Sequence, residues 1–221
     1  LYWDGRTDEA GNPVEKLGPA KDWEVIGMGM DAGLIGNPYT GEKYSLPAGD
    51  GVTTPYQIGS AEQLAWFARK CSIYGTGNTA PIEVDFDAVL TGYIDFGGDA
   101  YVDSGILRWV PIASYPQYYK GTFDGAGYMI DRMEVEEQGA AGLFGWTICG
   151  VVIKNLGIGP RSKVTSTGED VSGRYGGAGA LIGIAATYGG GISTFVIEGC
   201  YSRAAIHGYE SNCTGGLIGM E

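Results

Sequence analysis

Asp85 and Asp87, two positions apart in the segment IEVDFDAV, are the residues of this 221-residue chain best spaced for bond-breaking chemistry. On an extended strand, residues i and i+2 share a face roughly 7 Å apart. That falls within the separation of about 5–10 Å at which two carboxyls cleave a glycosidic bond, one of them with a raised pKa. Further carboxylates stand at Asp95, Asp99, Asp103, Asp124, Asp131 and in the run Glu134, Glu136, Glu137. Asp95, Asp99 and Asp103 could offer oxygens to a calcium ion, but their spacing is not that of an EF-hand loop. Pairs of this kind are common on any acidic surface, so solvated faces are the expectation, and no catalytic residue or metal ligand is assigned.

The other catalytic chemistries fail on composition. The chain has one histidine, His207. It cannot form the HExxH pair with which zinc peptidases hold their metal, and no G-x-S-x-G elbow accompanies it; a strand end or a loop is its expected place. Two glycine-rich runs, 27–33 and 177–183, miss the G-x-G-x-x-G spacing by one and are followed by no GKS or GKT. Neither opens a helix whose N-terminus could meet a phosphate, so both are expected to be corners, and no cofactor is expected. Cys71, Cys149, Cys200 and Cys213 fit neither CxxC nor zinc-finger spacing. Buried free thiols are the expectation, with one disulfide as the alternative.

Binding is a better prospect than catalysis. The segment SYPQYYK places Tyr115, Tyr118 and Tyr119 around a proline. Tyrosines on a shaped loop offer flat apolar area with a polar rim at low entropic cost, which suits sugars or peptide epitopes. These three are the candidate ligand-binding residues; the alternative is that they pack over the flank of the fold. A formal net charge of −12 with no basic stripe excludes a nucleic-acid groove and disfavours an anionic membrane surface. No apolar run reaches the roughly 18 residues that span a bilayer.

The elements that must position these residues are written in glycine, which supplies 40 of the 221 residues, more than twice the average share of roughly 7%. The hexapeptides AGLFGW, GALIGI and GGLIGM begin at Ala141, Gly179 and Gly215, and their last glycines, Gly145, Gly183 and Gly219, are 38 and 36 residues apart. The repeated core is Gly142, Leu143, Phe144 and Gly145, then Leu181, Ile182 and Gly183, then Gly216, Leu217, Ile218 and Gly219. The first two copies are followed by the companions VIKNLGI (152–158) and VIEGCYS (196–202). A period of 20–50 residues with varying loops marks a solenoid. Units of short strands without helices predict an all-β chain, a right-handed parallel β-helix whose apolar residues stack inside. A partial copy, Gly33 to Gly36, reads as coincidence or a short edge strand. In SAEQLAWFARK, Ser60 and Gln63 form a capping box, and Leu64, Phe67 and Ala68 form an apolar stripe, predicting one helix that covers the open end of the core. Residues 1–57 read as an irregular N-terminal segment carrying an insertion, and residues 58–221 as the helix-capped β-helix.

The ordered set of these motifs resembles the GLUG-motif proteins. The resemblance is carried by Trp3-Asp4-Gly5, then Pro55-Tyr56-Gln57-Ile58 leading into Ser60-Ala61-Glu62-Gln63-Leu64-Ala65. It continues through Trp109-Val110-Pro111-Ile112, Gly121-Thr122-Phe123-Asp124-Gly125-Ala126-Gly127 and the repeats themselves, with Ile153-Lys154-Asn155-Leu156-Gly157 between them. It covers roughly residues 53–221, with 6–50 resembling an insertion. Such segments occur in bacterial cell-surface and secreted proteins described as adhesins, and outside the catalytic part of IgA-cleaving metallopeptidases. The resemblance implies an extracellular or cell-surface setting. Because the chain begins at Leu1 and no basic segment followed by an apolar one is present, its signal or lipid anchor is expected to have been removed. The resemblance further implies a non-catalytic module that contacts glycan or extracellular protein. The alternatives are an accessory region of a secreted metallopeptidase or hydrolase and, more remotely, a polysaccharide-cleaving β-helix enzyme.

Overall fold

The computed structural model describes residues 23, 26, 30, 31, 33–37, 41–73, 82–97, 108–168, 176–187, 194–209 and 213–220. Several residues singled out above lie outside the described residues: Trp3, Asp4, Gly5, the run 27–29, Asp99 and Asp103. Short strands dominate, and all but one of the six sheets are parallel. The exception is a three-stranded antiparallel sheet of β1 (Met30–Asp31), β2 (Leu34–Gly36) and β3 (Lys43–Ser45), in that spatial order. The partial GLIG copy is not an edge strand: it is the middle strand β2 of this separate sheet, with Ile35 fully buried, and it does not join the parallel sheets in which the other copies lie.

The five parallel sheets are built by strands far apart in sequence. Sheet 1 contains β4 (Tyr56–Ile58), β6 (Ala88–Leu90), β9 (Thr122–Asp124), β14 (Val152–Lys154) and β19 (Val196–Glu198). Sheet 2 contains β7 (Ile94–Asp95), β10 (Met129–Asp131), β15 (Gly157–Ile158) and β20 (Tyr201–Ser202). Sheet 3 contains β11 (Glu134–Glu137), β16 (Lys163–Ser166) and β21 (Ala205–Gly208). Sheet 4 contains β12 (Ala140–Ala141), β17 (Gly177–Ala178) and β22 (Cys213–Thr214). Sheet 5 contains β5 (Ile82–Val84), β8 (Gln117–Tyr119), β13 (Phe144–Ile148), β18 (Ile182–Ala186) and β23 (Ile218–Met220). From β9 to β23 the chain visits sheets 1 to 5 in that order three times.

Each pass lays its apolar residues on those of the pass before. Phe123, Ile153 and Ile197 register in sheet 1, Ile94, Ile130 and Ile158 in sheet 2, and Val135, Val164 and Ile206 in sheet 3. Because strand side chains alternate, the residues between these columns face outward. The repeated phrase is the link from sheet 4 to sheet 5: Phe144, Ile182 and Ile218 register on one another, and the leucines before the first two, Leu143 and Leu181, are fully buried. No single pass can bury its own apolar face, which is why the phrase recurs.

Between β4 and β5 runs helix α1 (Ala61–Ile73). Its start follows the sequence: the Ser60 hydroxyl accepts from the Gln63 amide at 3.2 Å, while the Gln63 side chain accepts from the Gly59 amide at 2.7 Å, one residue before the usual capping-box partner. Leu64, Phe67, Ala68 and Cys71 are buried, and Phe67 meets Tyr119 and Phe123 edge-on or tilted at 6.2 and 6.1 Å. The stripe thus closes over the strands at the start of the stack. Near the helix C-terminus the Lys70 ammonium lies 5.0, 5.5 and 5.7 Å from the rings of Phe86, Trp66 and Tyr56, a cation–π clasp between α1, β4 and the connection from β5 to β6. All four cysteines are free, but only Cys71 is fully buried; Cys149 and Cys200 are half-buried and Cys213 is exposed. No helix among the described residues is long and apolar enough to cross a membrane.

Candidate functional site

The outer face of sheet 3 forms a groove of about 410 Å³ lined by Glu136, Lys163, Thr165, Thr167, His207 and Tyr209. Its construction follows from the register. With Val135, Val164 and Ile206 turned inward, Glu136, Thr165 and His207 fall into one outward row, and Glu134, Lys163 and Ala205 into the row before it. Thr167 and Tyr209 continue beyond the strand ends, and their amides bond to the carbonyls of Glu137 and Ser166 in the preceding pass. Adjacent strands are about 4.8 Å apart, so the three rows present polar groups at steps of that size along the stack. Arg108 extends the ladder by one step, bridging to Glu134 and pairing with the Glu136 carboxylate at 3.2 Å. Tyr209, at 58% exposure, and the exposed His207 put two rings in the groove. A donor-rich, acceptor-rich trough with two exposed rings is equipped to hydrogen-bond an elongated polar ligand.

The structure places His207 within strand β21, not at a strand end or in a loop, and opposite Thr165. Sequence reasoning missed the groove as a whole.

The tyrosine cluster lies elsewhere. Tyr118 and Tyr119 are 1% and 0% exposed, so the flat area they would offer a ligand is already covered. Tyr119 points into the core, stacks on Phe144 at 4.8 Å and donates its hydroxyl to the Phe86 carbonyl at 2.8 Å. Tyr118 turns to the other side of β8, where Tyr115 and Trp146 lie against it at 6.1 and 5.6 Å. A contact surface built on all three rings is therefore corrected: Tyr119 belongs to the core, Tyr115 and Tyr118 pack with Trp146 over the flank of sheet 5, and of the three only Tyr115 keeps partial exposure.

The carboxylates are tied down in the same way. β5 ends at Val84, and Asp87 accepts from the Thr122 amide at 2.6 Å, so Asp85 and Asp87 are not an i, i+2 pair on a strand. Asp124 holds the Ala126 amide, the Asn155 side chain and Lys154. Asp131, 2% exposed, accepts from the Arg132 and Arg161 amides at 2.9 and 3.0 Å and from the Arg161 guanidinium at 2.8 Å. Asp95 takes a bidentate fork from Arg132 at 2.7 and 2.6 Å. Among the described residues no cluster of His, Cys, Asp or Glu could hold a metal ion.

Burial on its own would raise the pKa values of Asp95 and Asp131, but the arginine and amide donors outweigh it and hold both below the ordinary carboxylate value. Groups depressed in the folded state contribute stability that is full above the unfolded pKa of about 3.9 and is lost as pH falls through the folded value. The urea midpoint is therefore expected to fall steadily below about pH 4. Asp131→Asn should flatten that slope, and Asp131→Ala should cost about 2 kcal/mol at neutral pH by stranding its donors. Identical slopes for wild type and Asp131→Asn would refute this account.

Compared with family models, with curated proteins and with solved structures, the chain matches none of them.

Proposed function

We propose that the chain is an exported, non-catalytic, adhesin-like binding module of the GLUG-repeat kind. In this reading it winds as a right-handed parallel β-helix with α1 covering one end, and the sheet 3 groove contacts a glycan or a segment of an extracellular protein. The winding is supported by the three ordered passes through sheets 1 to 5 and by the strong preference of parallel crossovers for the right hand. The observation that carries the function is the groove: polar side chains from successive passes, Glu136, Thr165 and His207, stand in one row with Lys163, Thr167 and Tyr209 beside them. Rows fixed by a hydrogen-bonded ladder are pre-organised, so little ordering cost opposes a ligand laid across them. Glu136, already paired with Arg108, serves this role better than proton transfer.

The test is an array of glycans and extracellular-matrix proteins probed with wild type and with Lys163→Ala/Tyr209→Ala. Both substituted side chains are exposed, so thermal stability should be unchanged. At least one ligand should bind wild type, with the double variant weaker by about tenfold or more. An empty array, or equal binding by both proteins, would overturn the reading.

A further inference from the structure

Three of the exposed large side chains, Tyr93, Tyr128 and Tyr201, at 43%, 41% and 45% exposure, lie on or immediately before strands of sheet 2. Ile94, Ile130 and Ile158 face inward there, so Met129, Gly157 and Tyr201 form one outward row, and Tyr93, next to Ile94, falls at its head. Asp95 and Asp131 form the second row, which Gly159 and Arg203 continue past the strand ends.

The two glycines are what shape this face. A Cβ on Gly157 would lie within 2.7 Å of the Tyr201 ring, and one on Gly159 would lie within 2.7 Å of the Asp131 side chain. Tyr201 therefore folds its ring across the bare position at Gly157, and the Asp131 carboxylate fills the space beside Gly159. Arg203 is exposed, with its guanidinium carbon 6.0 Å from the centre of the Tyr201 ring. The Tyr93 hydroxyl accepts from Arg161 at 3.0 Å and lies 3.4 Å from Asp131, fixing that ring at its far end while leaving 43% of the residue exposed.

We propose that this face of sheet 2 is a second binding site, on which an extended neutral glycan stacks its sugar rings against Tyr93 and Tyr201. Arg203 donates to the sugar hydroxyls. The inference rests on the preceding reading for its class of ligand but not for its site. A ring tethered through its hydroxyl, as in Tyr93, or lying across a bare glycine, as in Tyr201, offers apolar area with little rotamer entropy left to lose. From β7 to β20 is three strand steps, about 14 Å, long enough to seat a short oligosaccharide. The charge favours a neutral ligand. Arg132 and Arg161 are each taken by an aspartate, Asp95 and Asp131, and the chain carries −12 overall, which repels polyanions.

The test is calorimetric titration with neutral hexasaccharides of cellulose, xylan and mannan, and with an oligogalacturonate of equal length. One neutral hexasaccharide should bind more tightly than the oligogalacturonate. Tyr201→Ala should weaken it by about tenfold while Tyr201→Phe stays within about twofold. Gly157→Ala, which lifts the Tyr201 ring, should also weaken it. The groove variant Lys163→Ala/Tyr209→Ala should leave it within about twofold. No neutral binding, a preference for the oligogalacturonate, or loss only in the groove variant overturns this inference. None of those results touches the adhesin reading if the array registers a protein or a charged glycan. Loss in Tyr201→Ala alone establishes the sheet 2 site.

Discussion

Replacing Gly183 by alanine is expected to cost about 3 kcal/mol, whereas Gly216→Ala should fall within about 0.5 kcal/mol of wild type. Both glycines belong to copies of the same phrase, and the difference lies in what a methyl group would meet. A Cβ on Gly183 would lie 2.6 Å from the Ala140 carbonyl carbon and 2.6 Å from the Ala141 nitrogen, backbone atoms of the preceding pass. No rotamer change relieves a clash with backbone, so β18 must lift from β13, and the ladder from Phe144↔Ile182 to Ile148↔Ala186 loosens with it. The last glycines of the other copies are under the same constraint: Gly145 would place a Cβ 2.8 Å from the Ala113 carbonyl oxygen, and Gly219 one 2.5 Å from the Ala178 nitrogen. The position before the leucine differs from copy to copy: a Cβ on Gly142 would lie 2.8 Å from the Gly179 and Phe144 carbonyl oxygens, but the third copy is open. Nothing lies within 4 Å of a Cβ on Gly216, and the second copy already carries Ala180 there, fully buried. At about 2–4 °C per kcal/mol for a chain of this size, Gly183→Ala should lower Tm by roughly 6–12 °C. Equal shifts for the two variants would mean that the phrase is not read through backbone contact.

This contrast also explains what was legible in the sequence. The repeat was visible because its constraint is backbone contact at one fixed place, the second residue of β13, β18 and β23, which only glycine satisfies, so Gly145, Gly183 and Gly219 recur. Helix α1 was visible because its cap and stripe are local, lying within residues 59–71. The groove was not visible, because its row is fixed by stacking between passes of unequal length. β11 and β12 are separated only by residues 138–139, while β16 and β17 are separated by 167–176. No constant spacing links Glu136, Thr165 and His207, and an isolated histidine in AIHG carries no mark of the threonine beneath it. The tyrosine segment misled for a related reason. Tyr118 and Tyr119 point to opposite sides of β8, and both sides are covered, one by Trp146 and the other by Phe144. Gly157 likewise looks like another corner glycine until Tyr201, 44 residues on, lays its ring across it.

Phe144→Ala is expected to be the most damaging single truncation in the core, at about 3–5 kcal/mol, with Phe144→Leu near 1.5 kcal/mol or below. Phe144 is fully buried, stacked on Tyr119 at 4.8 Å with a 27° interplanar angle and edge-on to Phe123 at 5.4 Å. Tyr119 and Phe123 are the same two rings that receive Phe67 from α1. Removing the Phe144 ring therefore opens a cavity beneath the rings on which the helix rests, so both the strand stack and its attachment to α1 weaken. Leucine keeps most of the volume and loses chiefly the ring–ring geometry, worth about 0.5–1.5 kcal/mol per pair. The equivalent residue in the third pass, Ile218, occupies the same column but is only half-buried. Less area is withdrawn from water there, so Ile218→Ala should cost about 1–2 kcal/mol. Urea denaturation of the three variants at one pH checks the order, with m unchanged if unfolding stays two-state. An Ile218→Ala cost equal to that of Phe144→Ala would show that the third pass is as well packed as the first, and that the aromatic cluster under α1 is not where this core is strongest.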